Sequence, residues 1–193
     1  MVKQRTEKDR SRDVILNAAL DVLRERGSAS ITVASVAERA GCAKGLVHYH
    51  FRTKQNLWRA AAEHLTRHRV ASWREALAVP SPSEAVHRTW TLLASESVNG
   101  TAGAWLSMLD PSSELSSEKV AEAVDTFGAA IADSVAEMFR QLDVRTRIPH
   151  TEIGWMLASV VAGSGFLLTR GVDEAKIENA YAAAWLGVLS LIE

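Results

Sequence analysis

Lys44 and Lys54 bracket a short run, Gly45 to Phe51, whose side chains suit contact with a polyanion. The two ammonium groups can hold phosphates on either side of a helix. Gly45 permits a close backbone approach, and His48, Tyr49 and His50 offer donors and flat faces. Val47 and Phe51 stand four apart, so they share one face and can anchor the run on its neighbours. Other chemistry-bearing residues carry less. His64 and His68 are also four apart with Glu63 beside them, but the glutamate is not at the position a helical zinc hydrolase needs, and no metal is expected. Cys42 is the single cysteine, which excludes an intramolecular disulfide and a four-cysteine zinc site; it reads as a small core residue. No glycine-rich phosphate loop after a strand, nucleophile elbow or carboxylate pair is found, so neither an enzyme nor a cofactor is expected.

The elements that must position the basic run read as helices. From Asp13, the residues Ile15, Ala18, Ala19, Val22 and Leu23 form one apolar face, and Gly27 ends it. Thr32 caps a short second helix through Val33, Val36, Ala37 and Ala40, which Gly41 terminates. A third helix runs through Leu46, Val47 and His50 to Phe51. Thr53 opens a long fourth helix ending near Pro80. Ser81, Pro82 and Glu84 spell a capped start with a capping box for a helix reaching about Val98. Further helices span Thr101 to Asp110 and Ser117 to Leu142. Another follows Arg147-Ile148-Pro149, and a last one runs from near Asp173 to Ile192. The count is nine helices and no convincing strand, an all-α chain. Two short helices joined by a glycine-containing turn, after a packing helix and before a long one, form a helix-turn-helix, with the second helix placed to enter a major groove.

Charge agrees with this division. The 193 residues sum to −1, yet residues 1–54 carry 11 Lys and Arg against 6 Asp and Glu, and residues 55–193 carry 11 against 17. A basic head on an acidic body points to a polyanion partner for the head. Lys3, Arg5, Lys8, Arg10 and Arg12 form a basic arm able to add phosphate or minor-groove contacts. The expected division is therefore 1–54 for the arm and DNA-binding domain and 55–193 for the helical body. The polar N-terminus lacks a secretory pattern, so a cytoplasmic location is expected.

The stretch Thr32 to Trp58, TVASVAERAGCAKGLVHYHFRTKQNLW, resembles the DNA-binding segment of the TetR family of bacterial transcriptional regulators. AERAG, KG, HF and TK-x-x-L match in register, and the resemblance covers about 45 residues from Asp13. It implies a three-helix DNA-binding domain followed by a six-helix effector-binding and dimerisation domain. The DNA contacts it implies fall to Thr32, Lys44, Gly45, Leu46, His48, Tyr49 and Lys54, whereas His50 matches a position that is often partly buried. Ala43 stands where the family usually has a capping Ser or Thr, at a cost of about 1 kcal/mol. Leu46 replaces a common Thr, His48 a common Tyr and Ala34 a common Arg, changes that bear on which operator is read. The resemblance further places Trp73, Trp90, Leu93, Trp105, Met108, Phe127, Ile131 and Met138 around an effector cavity, suited to a small apolar or aromatic ligand.

The segments Ile153–Thr169 and Asn179–Ile192 contain no charged residue. Helices apolar on nearly every side are buried in protein or in lipid. Pairing with the same two helices of a second chain, as the resemblance implies, satisfies both without a membrane, and small residues at Ala158, Ala162, Ala183, Ala184 and Gly187 allow close approach. The expected molecule is a homodimeric, effector-released repressor on a palindromic double-stranded operator. An α-helical enzyme with a site in the body, or a helical protein-binding scaffold, are the alternative classes.

Overall fold

The computed structural model describes residues 7–27, 30–110, 113 and 115–192. Among these residues the chain forms α1 (Glu7–Arg26), α2 (Val33–Arg39), α3 (Lys44–Phe51), α4 (Lys54–Leu77), α5 (Pro82–Val98), α6 (Thr101–Leu109), α7 (Ser117–Gln141), α8 (His150–Thr169) and α9 (Glu174–Leu189). The all-α expectation holds. Pairing of extended backbone is confined, in the described residues, to an isolated antiparallel bridge between Thr146 and Ile192. Two compact units are present, one of Met1–Leu65 with Ala104–Val120, the other of Thr66–Gly103 with Ala121–Glu193.

In the first unit the apolar stripes read from the sequence become its core. Ile15, Leu16, Ala19 and Leu23 of α1, Ile31, Val36 and Ala37 around α2, and Val47 and Phe51 of α3 are all buried. Helix α1 begins at Glu7 rather than near Asp13. Glu7 and Asp9 lie in its first turn, where carboxylates complement the positive end of the helix dipole. Lys8, Arg10 and Arg12 are therefore helical residues and not part of a loose arm; Lys3 and Arg5 lie outside the described residues.

The second unit contains a buried charge pair. Arg69 on α4 donates from Nε and Nη2 to the Glu96 carboxylate on α5, with Nη2 2.6 Å from Oε2. The two side chains are only 5% and 4% exposed. Trp73 Nε1 donates to the same carboxylate at 3.3 Å, and the Arg69 guanidinium lies 4.3 Å from the centre of the Phe127 ring. The Glu96 carboxylate thus accepts from Arg69 and Trp73 together, and such hydrogen bonding is what allows a buried ion pair to be tolerated.

Nearby, Tyr181 on α9 donates to Thr89 Oγ1 at 2.8 Å, and Thr89 donates to the Ala85 carbonyl at 2.6 Å. Burial pushes the Tyr181 hydroxyl up from its ordinary pKa, keeping it a neutral donor. Helices α8 and α9 pack on each other and on α5.

Backbone contact closes α7 onto α8. A Cβ on Gly154 would fall 2.1 Å from Ala132 Cα, and one on Gly128 would fall 2.1 Å from the Trp155 ring. The start signal at Ser81 is realised differently from expectation. Pro82 opens α5, but Ser81 makes no side-chain cap and instead shares a 2.8 Å hydrogen bond with Ser83. Glu84 pairs with Arg88 one turn on, at 2.7 Å, rather than reaching back.

Helix α8 is long and apolar enough to cross a membrane by length and composition. One side of it, through Ile153, Leu157 and Val161, is buried within the second unit. The other side exposes Trp155, Met156, Ser159, Ala162, Gly163, Phe166 and Leu167, and α9 exposes Ala183, Leu186 and Gly187. These residues recur every three or four positions, so each helix carries one uncharged exposed stripe.

Candidate nucleic-acid interface

Helix α2 is held by a capping box, of which Thr32 is expected from the sequence and Ser35 is not. Thr32 Oγ1 accepts from the Ser35 backbone N–H at 3.0 Å, and Ser35 Oγ accepts from the Thr32 N–H at 3.0 Å. Serine in place of the more familiar glutamate closes the box. Thr32 is therefore first a structural cap, with an exposed edge remaining. Gly41, at φ +62°, makes the turn between α2 and α3 in a conformation that side-chain-bearing residues resist. Arg39 pairs with Glu25, fastening the end of α2 to that of α1.

Helix α3 has two distinct sides. Val47 and Phe51 are 1% and 5% exposed and face the core, as their spacing predicts. Lys44, Gly45, Leu46, His48 and Tyr49 are exposed, with Tyr49 63% accessible. Of the residues expected to touch DNA, only Lys54, the first residue of α4, is half-buried.

Ala43 occupies the cap position of α3 and makes no side-chain hydrogen bond. The N–H groups of Lys44 and Gly45 therefore open the helix without a side-chain acceptor, at the positive end of its dipole and beside the Lys44 ammonium. Such a helix start favours an anionic oxygen.

His48 Nδ1 lies 3.3 Å from the Arg52 carbonyl. A carbonyl only accepts, so this contact places the neutral ring's proton on Nδ1 and leaves Nε2 as an acceptor. After Arg52, which sits at φ +63°, Thr53 Oγ1 accepts from the Asn56 N–H at 3.1 Å and starts α4.

His50 is half-buried and shares a 3.2 Å hydrogen bond through Nε2 with Ser11 Oγ of α1. Burial, and secondarily the cations of Lys8 and Arg12, hold its pKa below the ordinary 6.5. The unfolded chain therefore takes up this proton first as the solution is acidified. The stability contributed is full above 6.5 and is lost as pH falls from there towards the lower folded value. Wild type should accordingly lose ground to His50→Gln on acidification, read as the urea midpoint of each between about pH 8 and 5. A difference between the two that stays constant with pH contradicts the assignment.

The residues expected to line an effector cavity do not all fall in one unit. Trp105 and Met108 belong to the first; Trp73, Trp90, Leu93, Phe127, Ile131 and Met138 belong to the second. All eight are buried. Trp73 meets Phe127 edge-on at 5.8 Å, and Trp90 stacks at a tilt on Tyr181 at 5.6 Å. Met138 lines an open groove of about 680 Å³ with Leu77, Val79, Arg74 and Arg140. Arg69 and Glu96 are buried without being expected from the sequence, where their signal is a charge at a core position of α4 and of α5. Among the described residues there is no cluster of metal-ligating side chains.

The comparisons with known proteins agree with this geometry. Residues 15–61 match the family model of bacterial regulatory proteins, tetR family. A TetR transcription regulator from Haloarcula marismortui superposes with a TM-score of 0.77 at 18% identity, covering 95% of this chain and 99% of that one. A transcriptional regulator from Rhodococcus sp. RHA1 gives 0.73 at 18% identity, over 97% and 98%. A gamma-butyrolactone receptor gives 0.63 at 19% identity, over 97% and 90%. No protein of curated function matches the chain by sequence. Residues 15–61 thus match the tetR family model of bacterial regulatory proteins, and the chain as a whole has the fold of the solved TetR-family transcriptional regulators on which it superposes.

Proposed function

We propose that the protein is a homodimeric, sequence-specific DNA-binding repressor released from a palindromic operator by a small apolar or aromatic effector. The observation that carries this reading is α3, with Val47 and Phe51 buried and Lys44, Gly45, Leu46, His48 and Tyr49 presented together to solvent. Lys44, Lys54 and the cap of α2 at Thr32 hold phosphates, and Leu46, His48 and Tyr49 meet base edges. The DNA-binding part is residues 1–54 and the effector and dimerisation part residues 55–193.

A second copy covers the uncharged stripes of α8 and α9, which spares Trp155, Phe166 and Leu186 from water. Two α3 helices then enter successive major grooves about 34–36 Å apart. Trp73, Trp90, Leu93, Trp105, Met108, Phe127, Ile131 and Met138 are the proposed effector residues. The structural likeness to a gamma-butyrolactone receptor supports a small-molecule effector. The protein acts by binding, not catalysis, and does so in the cytoplasm.

Salt tests the phosphate contacts. Lys44→Ala should weaken binding to all DNA sequences alike and reduce the slope of log affinity against log salt by about 1. Fluorescence anisotropy with labelled duplexes at several salt concentrations reads both. Identical slopes for wild type and variant contradict the reading.

A further inference from the structure

Three successive rings at the end of α3 each rest on one polar side chain of α1. The Lys8 ammonium lies 5.4 Å from the centre of the Tyr49 ring. Ser11 Oγ bonds His50 at 3.2 Å, and the Arg12 guanidinium lies 5.2 Å from the centre of the Phe51 ring. The rings also touch one another. Tyr49 and His50 meet edge-on at 5.2 Å, and His50 and Phe51 are tilted at 6.3 Å.

Residues 8, 11 and 12 share one face of α1, whereas 49, 50 and 51 fan around α3. Helix α1 therefore grips the end of α3 from the buried Phe51 out to the exposed Tyr49. Phe51 is fixed by the core and His50 by its hydrogen bond. Tyr49 is 63% exposed, and among the described contacts its ring is oriented by Lys8 and the edge of His50. A cation over an aromatic face is attracted by the ring's quadrupole and favours the rotamer that keeps it there.

We infer that Lys8 is a positioning residue for base recognition: its ammonium selects the rotamer from which Tyr49 meets the DNA, and so sets the base preference of α3. This rests on the DNA-binding reading above. A lysine acting on Tyr49 differs in its consequences from one acting on a phosphate. Its loss changes which sequence is preferred, and a phosphate lysine's loss weakens every sequence equally.

The test selects bound duplexes from a random pool with the full-length protein, comparing wild type, Lys8→Ala, Lys8→Arg, Tyr49→Ala and the Lys8→Ala/Tyr49→Ala double variant. Lys44→Ala serves as the phosphate reference. Lys8→Ala should alter the relative affinities of the favoured sequences by about fivefold or more. Lys8→Arg should restore the wild-type preference, because a guanidinium stacks on the ring as well. In the Tyr49→Ala background, loss of Lys8 should change the preference no further. If Lys8→Ala keeps the wild-type preference and merely lowers affinity and salt slope as Lys44→Ala does, the inference is overturned while the DNA reading stands. If the wild type itself selects no sequence, the DNA reading falls and this inference with it.

Discussion

Glu96→Leu should cost the protein about 3–5 kcal/mol of stability, because it removes the carboxylate to which the buried Arg69 guanidinium donates through Nε and Nη2. Both side chains are almost wholly excluded from water, so solvent cannot take over the lost carboxylate. Trp73 Nε1 loses an acceptor in the same step. The position of Arg69 against the Phe127 ring offsets little, since a ring face attracts a cation far less than a carboxylate does. The companion Arg69→Met/Glu96→Leu should recover most of the loss, because two apolar side chains of similar volume leave no charge to satisfy. Denaturant unfolding of the three proteins measures this. A double variant as unstable as Glu96→Leu alone would contradict the explanation.

Gly154→Ala should destabilise by about 1–3 kcal/mol although alanine is the better helix former by roughly 1 kcal/mol. The new Cβ would lie 2.1 Å from Ala132 Cα. That neighbour is backbone, not the flexible end of a side chain, so α7 and α8 must part to admit it. Their separation in turn loosens the contacts of Ile153 and Leu157, both fully buried. Gly103 lies in α6, and a Cβ there meets nothing within 4 Å; Gly103→Ala is the control, expected to keep or raise stability. Thermal melts of both variants decide the matter, and equal effects at the two positions would contradict close packing at Gly154.

Much of the head was legible because its signals are local. Gly41 marks a turn by its own conformational freedom, Thr32 a cap by its hydroxyl, and Val47 with Phe51 an inner face by spacing alone. The start of α1 was misplaced because the apolar stripe begins near Asp13, whereas the helix continues through polar residues to Glu7. Acidic residues in a first turn were the available sign. The capping box with Ser35 was missed since glutamate is the usual partner, and at Ser81 the expected box gave way to a Glu84–Arg88 pair on the exposed face. The body was less legible for a different reason. The Arg69–Glu96 pair joins residues on separate helices, and sequence spacing carries no information about which distant charges meet. Gly128 and Gly154 likewise look like weak points of two helices until the crossing of those helices explains them.

In the proposed dimer α3 reads DNA as one of a symmetric pair. Selection of bound fragments from genomic DNA by the purified protein, at two salt concentrations, tests it most directly. The expected result is an enriched palindrome with half-sites about one helical turn apart, retained less at the higher salt. Enrichment of no sequence at either concentration would contradict it.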